Sequence, residues 1–327
     1  MEQEKKLSPV GVDISKGKLD VALLRHDGKF RDKVVANSRK GFEELAAWLA
    51  KQGVTHAHIC MEATGSYWED LAEFLADAGF TVSVVNPALV KKYGESLGER
   101  NKTDSIDARV IARFCAERTP ERWQAPSKAV RGLRALVRRR EALVELRTQE
   151  LNRRDSASEP RVLASIDTVI AHLEEQIKQI ERQIRDHIDS DPTLKQQREL
   201  LQSVPGIGDV TTAMLLSYYG GEQLRFRCSQ QAVAFAGLDT SRRESGTSLR
   251  GKPRMSKKGQ SNIRSTLYMP AVVAISKTAW GKAFAERLTK AGKPKMLIIG
   301  AVMRKMVAIA YGVLKSGKPF NPALHCA

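Results

Sequence analysis

The first third of the chain alternates short apolar runs with segments of helical periodicity. Val10–Ile14 and Leu19–Leu24 have the length and composition of strands, and the turn-forming residues 26–29 (His-Asp-Gly-Lys) separate the second run from Phe30. Further strands are predicted over Lys33–Ala36, His56–Met61 and Phe80–Val85, and helices over Gly41–Ala50 and Trp68–Ala78. A hairpin followed by β-α-β units predicts a mixed sheet flanked by helices.

Beyond about Ser127 the pattern becomes helical and basic. Arg131–Arg154 contains eight Arg and three Glu, and residues 155–160, which end in Pro160, interrupt it. The next segment has an apolar seam with steps of four and three residues, formed by Ile166, Ile170, Leu173, Ile177, Ile180 and Ile184. Such a seam packs on its own domain or pairs with another helix; the regular steps favour a coiled coil that joins two subunits.

The pattern divides the chain into three predicted regions. Residues 1–125 form an α/β domain, residues 126–195 form a helical coiled-coil connector, and residues 196–327 form a mainly α-helical domain. Within the last region Ser241–Pro270 carries five Arg and three Lys against one Glu, the densest positive segment of the chain. A solvated loop explains part of this density, and a groove that follows a nucleic acid strand explains more of it.

Composition favours a nucleic-acid partner and disfavours both a membrane anchor and a fold held by disulfides or zinc. The 327 residues include 54 Lys and Arg against 37 Asp and Glu, a net charge of +17, which favours a polyanionic partner. The most apolar stretch, Met296–Leu314, is interrupted by Arg304 and Lys305, and no secretory signal is visible, so we expect no membrane anchor. The four cysteines are scattered without a CxxC pair, which fits a reducing cytoplasm.

Four carboxylates stand out by position. Asp13 and Glu62 each follow an apolar strand, and Asp104 and Asp107 lie three apart at the start of a predicted helix, on one face of it. Oxygen ligands of this kind suit Mg²⁺, which assists phosphoryl chemistry. Taken alone, each residue is better explained by a helix N-terminus or by a strand end at the surface. The four carboxylates in this order along the chain point to a metal site more strongly than any one of them does.

Two further segments carry candidate chemistry. Residues 203–208 (SVPGIG) lie between two predicted helices and resemble a helix-hairpin-helix, in which Gly206 and Gly208 free backbone N–H groups for a phosphate; a tight turn without a ligand explains the motif as well. In residues 241–259 a serine hydroxyl among arginines could attack a phosphodiester. Spacing leaves several candidates open: Ser241, Ser245, Ser248 and Ser256, with Tyr268 as a rival that a core position also explains.

Six segments together resemble the Piv/MooV-like DEDD transposases, and more narrowly the bridge-RNA-guided recombinases of bacterial insertion sequences. They are GVDISKGKLDVALL, MEATGSYWEDLAEFL, VVNPALVKKYGESLGERNKTDSIDARVIA, SVPGIG, FAGLDTSRRESGTSLRGKPRMSKKG and MRKMVAIAYGVLKSGKPF. The resemblance covers nearly the whole chain, and the motifs keep the order of the family.

The resemblance implies a RuvC-like (RNase H) fold for the first domain and a transposase domain at the C-terminus. The DEDD carboxylates of the family fall on Asp13, Glu62, Asp104 and Asp107 with Mg²⁺ as cofactor, and its nucleophilic serine falls on Ser245, before Gly246. It also implies donor and target DNA, a noncoding bridge RNA, and a homo-tetramer (a dimer of dimers) with composite sites, acting at the nucleoid in the bacterial cytoplasm. Expected nucleic-acid contacts are Arg242, Arg243, Arg250, Lys252, Arg254, Lys257, Lys258, Gly206 and Gly208.

Three other functions compete with this interpretation. A Holliday-junction resolvase uses four such carboxylates but has no need of a serine domain. An actin-like or sugar-kinase ATPase also begins with a strand that ends in Asp, yet the residues after Asp13 offer no glycine-rich phosphate loop. A module that only binds nucleic acid leaves the carboxylates unexplained.

Overall fold

The protein divides into two compact units, Met1–Ala125 and Pro126–Ala327, in a computed structural model. The structure describes residues 7–63, 65, 67–97, 104–222, 224, 226–241, 244–245, 249–250 and 253–324. For residues 104–106, 244–245 and 249–250 it describes the backbone only. The predicted border between a connector and a C-terminal domain at residues 195 and 196 stays a prediction.

A five-stranded mixed sheet organises the first unit. Its strands are β1 (Ser8–Ile14), β2 (Lys18–Leu24), β3 (Phe30–Ala36), β4 (Ala57–Glu62) and β5 (Thr81–Val85). Their order across the sheet is β3-β2-β1-β4-β5; β1 pairs antiparallel with β2 and parallel with β4. The predicted hairpin is confirmed, since β2 and β3 pair antiparallel around a turn in which Gly28 has a φ of 77°.

Helices cover both faces of this sheet. The first face packs its aliphatic side chains against α1 (Arg39–Lys51) and α2 (Glu69–Asp77), and the second packs against α3 (Pro87–Ser96) and α4 (Asp104–Arg118). Local signals start two of these helices: the Ser38 hydroxyl accepts from the amide of Gly41, and the Asn86 side chain accepts from the amide of Ala88 with Pro87 at the first helical position. The predicted α/β architecture is confirmed.

Two long helices, α5 (Lys128–Ser156) and α6 (Pro160–Ser190), open the second unit. Val137 shares a core with Ile184, and Leu143 shares one with Ile177, so the helices run antiparallel as a hairpin around the predicted break. The seam of α6 is therefore buried against α5 of the same chain. The prediction that this seam joins two subunits is wrong, because its apolar side chains already have an intramolecular partner.

The rest of the second unit is built around one central helix. The helices are α7 (Pro192–Gln202), α8 (Asp209–Tyr219), α9 (Ser229–Phe235), α10 (Ser261–Lys277), α11 (Ala279–Lys290) and α12 (Lys295–Ser316). All residues of α8 from Thr211 to Tyr219 are buried, and this helix shares its core with the base of the α5–α6 hairpin. Two short ladders lie in the basic segment, where the sequence predicts only loop: β6 (Thr240–Ser241) with β9 (Arg254–Met255), and β7 (Glu244–Ser245) with β8 (Leu249–Arg250).

The apolar helix α12 needs a separate comment, since among the described residues it is the one helix long and apolar enough to cross a membrane. Most of that stretch is buried inside the unit, with Val302, Met306 and Ala310 in the same core as α8. Its hydrophobicity is thus accounted for by its place as a core helix.

Candidate functional site

Asp13 and Glu62 lie at the same end of two neighbouring strands. In the parallel pair β1–β4 the last aligned residues are Val12 and Met61, and each carboxylate follows directly after its strand's aligned residue. Both side chains are half-buried, in contrast to the fully buried residues before them. Because aligned residues of parallel strands point to the same side, Asp13 and Glu62 belong to one face of the sheet.

Helix α4 brings Asp107 to this same face. Gly11 and Asp13 are two residues apart on β1 and share a face, and a Cβ built on Gly11 would lie 2.1 Å from the carbonyl oxygen of Ala108 and 2.3 Å from the amide nitrogen of Ala112. The backbone of α4 therefore touches β1 where only glycine fits. Asp107, which is half-buried, directly precedes Ala108. The backbone of Asp104 begins α4; its side chain lies outside the described residues.

Side-chain contacts also hold α4 on the sheet. The Arg109 guanidinium forms an ion pair with Asp32 of β3 and lies over the ring of Phe30, 5.5 Å from its centroid. Arg113, one turn later, lies 5.4 Å from the same ring. Helix α4 is thus attached to β3 as well as to β1.

The carboxylates fit a magnesium site by donor chemistry. Strands β1 and β4 and helix α4 each contribute a carboxylate to one face of the sheet, and Mg²⁺ prefers oxygen ligands of this kind. Among the side chains that the structure describes, no three His, Cys, Asp or Glu residues are close enough to hold a metal ion together. The fourth predicted ligand, Asp104, is not among them.

Asp20 is a carboxylate at this end of the sheet that the sequence analysis missed. It is the Cα partner of Asp13 in the antiparallel pair β1–β2, it is only 7% exposed, and its carboxylate lies 3.1 Å from the ammonium of Lys18. The ion pair compensates a second negative charge beside Asp13. The available signal in the sequence was a charged residue inside the apolar run of residues 19–24. Only the register of the β1–β2 pair shows that this residue lies opposite Asp13.

Two buried thiols lie on the same face of the sheet. Cys60 of β4 is two residues before Glu62, and Cys115 of α4 donates to the carbonyl oxygen of His58 at 3.3 Å. The pKa of Cys60 is raised, first by its hydrogen bond with Cys115, then by burial and by the negative charge of Glu62. A protonated Cys60 behaves as a small apolar side chain, so it packs between sheet and helix.

We expect Gly11→Ala to destabilise the first unit by about 1–3 kcal/mol, since the added methyl group must push α4 away from β1. Chemical unfolding followed by the fluorescence of Trp68 and Trp123, which are in contact, measures this. Gly17→Ala is the matched control, because its Cβ meets no atom within 4 Å. Equal unfolding midpoints for the two variants would contradict the close packing of α4.

The SVPGIG segment forms the predicted turn between two helices, α7 and α8. Gly206 has a φ of 100°, which favours glycine, and Trp280 donates its indole N–H to the carbonyl oxygen of Pro205 at 3.3 Å. Gly208 is exposed and caps α8 without a side chain, and a Cβ there would meet no atom within 4 Å. The turn between two helices is confirmed. The helix-hairpin-helix assignment and phosphate binding by Gly206 and Gly208 stay predictions.

The basic segment is described in part. Arg254, Lys257 and Lys258 are exposed. The backbones of Ser245 and Arg250 lie in a two-residue ladder, in which Ser245 pairs with Leu249 and Glu244 with Arg250. Three predicted contacts lie outside the described residues: Arg242, Arg243 and Lys252.

The other candidate nucleophiles have distinct surroundings. Ser241 is aligned with Arg254 across the β6–β9 ladder, and Ser256 donates a hydrogen bond to the carboxylate of Asp239. Ser248 lies outside the described residues. Tyr268 of α10 is 38% exposed, so it is not the core residue that an apolar helix favours.

Each of the two units contains a segment that matches a transposase family model. A transposase model of the DEDD type from the IS110 group matches residues 10–157, and the model "Transposase IS116/IS110/IS902 family" matches residues 198–286. Pilin gene-inverting proteins of Moraxella bovis and Moraxella lacunata are each 34% identical over 97% of this chain and 98% of their own length. An insertion element IS900 uncharacterized 42 kDa protein of Mycobacterium paratuberculosis is 23% identical over 38% of this chain and 31% of its own. With a near full-length match at this identity, the chain belongs to the IS110 family of transposases.

Proposed function

We propose that this transposase is an RNA-guided recombinase of a bacterial insertion sequence. It cleaves and rejoins donor and target DNA strands through a covalent link between Ser245 and DNA, assisted by four carboxylates. The observation that carries the proposal is the placement of Asp13 and Glu62 at the same end of two neighbouring strands, on the sheet face against which α4, the helix of Asp107, packs. The relatives in Moraxella are named for inverting a pilin gene, which is a rearrangement of DNA.

The first unit has the organisation of a RuvC-like (RNase H) domain. Its strand order β3-β2-β1-β4-β5, with three antiparallel strands followed by two parallel ones, supports this assignment. So does the helix α4, which packs across β1 and carries the last two carboxylates. The carboxyl ends of β1 and β4 then form the catalytic edge.

Asp13, Glu62, Asp104 and Asp107 would hold Mg²⁺, which supplies positive charge to the phosphate and its departing oxygen when bound. The sheet orients the first two carboxylates, and the contact between Gly11 and α4 positions Asp107. Half-burial limits the hydration of Asp13 and Glu62 and strengthens their electrostatic effect. The Lys18–Asp20 ion pair fixes the strand opposite Asp13.

Ser245 supplies the nucleophile in this proposal. Its oxygen forms an ester bond to the DNA phosphorus while the bond to the departing strand oxygen breaks, and the serine proton passes through water to that departing oxygen, which leaves as a hydroxyl. A second strand end then attacks the same phosphorus and releases the serine. Cationic side chains of the basic segment, Arg250 and Arg254 among them, would stabilise the charge of the transition state.

The basic surface supports contacts to nucleic acid backbones. Exposed Arg254, Lys257 and Lys258 and the glycine turn of residues 203–208 suit phosphates, which are the same in every sequence. Aromatic residues make up only 6% of the chain, so few rings are available to stack on bases. This composition is consistent with recognition of the DNA sequence by base pairing with an RNA instead of by protein side chains. The substrates place the protein at the nucleoid, in the cytoplasm.

A noncoding RNA should therefore co-purify with the protein from its native host. We expect sequencing of the bound RNA to yield one dominant species, with segments complementary to donor and target sites. Removal of that RNA should abolish recombination of a plasmid carrying both sites, and adding it back should restore it. A bound RNA population that mirrors total cellular RNA would contradict RNA guidance.

We also propose a homo-tetramer whose active sites combine the first unit of one chain with the second unit of another. Asp13→Asn and Ser245→Ala chains, each inactive alone, should then recover partial cleavage when co-expressed, because some mixed sites have both functional groups. The measurement is strand cleavage by hetero-oligomers isolated through two different tags. Inactive hetero-oligomers of verified composition would show that each site is built within one chain.

A further inference from the structure

A cavity of about 420 Å³ lies in the second unit between α5, α6, α7 and α8, with one wall residue from α10. Its buried lining includes Val137, Ile184, Thr212 and Met214, and exposed residues of α6, α7 and α8 form its mouth. This volume lies within the range of about 300–1,000 Å³ that is typical of small-ligand pockets. We refer to it as the α8 cavity.

One polar group in the α8 cavity has no partner. Thr212 is 1% exposed, and its hydroxyl oxygen forms no hydrogen bond among the described residues. Buried hydroxyls are nearly always hydrogen-bonded, because leaving one without a partner is unfavourable. Thr212 lines the cavity, so a ligand in the cavity would supply the missing partner.

The charges around the cavity disfavour an anion in its interior. Three arginines and four carboxylates line it, and two of those arginines are engaged: Arg140 lies 2.7 Å from Glu181, and Arg198 lies 2.7 Å from Asp189. Glu141 lines the cavity, and burial raises the pKa of its carboxyl above the usual range. The polar groups left for a ligand are thus mainly acceptors, which suits an uncharged molecule with N–H donors.

The mouth of the cavity also offers groups that bind an anion, beside the exposed carboxylates of Glu199 and Asp209. It lies beside the N-terminus of α8, where Gly208 leaves the first helical N–H groups without a side-chain cap. Arg185 is exposed there and has no ion-pair partner among the described residues. A phosphate fits this mouth, and the group attached to that phosphate then faces the apolar interior.

We propose that the α8 cavity receives a single nucleobase, extruded from a nucleic acid strand whose backbone lies on the 203–208 turn. The aliphatic walls contact the faces of the base, the Thr212 hydroxyl bonds its edge, and the Glu141 carboxyl accepts from an exocyclic amino group. Cytosine and adenine carry such a group, and thymine does not. This inference rests on the proposed function, because it requires a bound nucleic acid.

The test compares three DNA single strands of equal length: oligo-dC, oligo-dT and an abasic strand with the same number of phosphates. We expect the wild-type chain to bind oligo-dC about threefold to tenfold more tightly than oligo-dT and the abasic strand, as one or two hydrogen bonds predict. Thr212→Val, which keeps the shape of the side chain, should lose most of this preference and bind the abasic strand as the wild type does.

Controls separate the cavity from the fold and from nucleic acid binding itself. Thr211→Val changes the neighbouring buried threonine, which does not line the cavity, and should keep the full preference. Thermal unfolding of Thr212→Val should match the wild type, because the hydroxyl has no bond to lose. Equal wild-type affinity for all three strands, or an unchanged preference in Thr212→Val, would overturn the proposal. Failure of the wild type to bind any strand or duplex would instead refute the proposed function.

Discussion

Asp13→Asn is expected to lower strand cleavage by on the order of 10²-fold or more, while binding to DNA stays within about twofold of the wild type. The substitution keeps the shape of the side chain and removes one negative charge from the catalytic edge. Affinity resides in dispersed Lys and Arg side chains, which the change leaves in place. Cleavage in Mg²⁺ and filter binding on the same DNA measure the two effects.

Asp27→Asn is the matched control for that variant. Asp27 lies in the exposed β2–β3 turn, where its side chain accepts from the amide of Lys29, a bond that asparagine also forms. It should cleave as the wild type does. Wild-type cleavage rates in Asp13→Asn would exclude Asp13 from the catalytic site, and Glu62→Gln would then test the strand edge independently.

Ser245→Ala is expected to abolish the covalent protein–DNA adduct, because no other side chain takes over the attack in our proposal. Ser241→Ala, Ser248→Ala and Ser256→Ala should each retain it. Denaturing electrophoresis with labelled DNA detects the adduct, and mass spectrometry of the trapped peptide identifies the linked residue.

Two results would contradict the assignment of Ser245 in different ways. An adduct on Ser256 or on exposed Tyr268 would identify another nucleophile within the same general mechanism. Cleavage without any adduct in the wild type would indicate a hydrolytic enzyme of the resolvase kind, in which the carboxylates act alone. The co-expression experiment would then lose its basis as well.

Local patterns predicted most of the first unit correctly. The apolar runs and the Gly28 turn depend on residues close in sequence, and the strands and the hairpin follow them. The position of α4 over β1 depends on the contact between Gly11 and Ala108, which is nearly a hundred residues away in the sequence. No pattern in the residues around either position predicts that contact. For the same reason Asp20 became visible only through its alignment with Asp13.

The seam of α6 shows the limit of periodicity in another way. A repeat of four and three predicts that a helix pairs with a helix, and it does not say which one. Helix α5 also has an apolar face, but its spacing is less regular, and basic residues stand between Val137 and Leu143. The sequence therefore did not identify α5 as the partner of α6. A three-residue connection makes the intramolecular pairing favourable, because little chain entropy is lost on closing it.

The α5–α6 hairpin acts as a stiff arm of defined length. From Val137, where it leaves the main core, to Ser156 it extends for roughly 28 Å, which is the rise of about eight base pairs of duplex. Towards its tip Leu151 and Val162 are exposed, so a contact made there lies beyond the core by most of that length. The direction in which the tip faces depends on the number of residues in each helix. Adding seven residues to each helix, about two full turns, moves the tip outward by about 10 Å and leaves it facing the same way. Adding only two residues to each helix rotates the tip towards the opposite side.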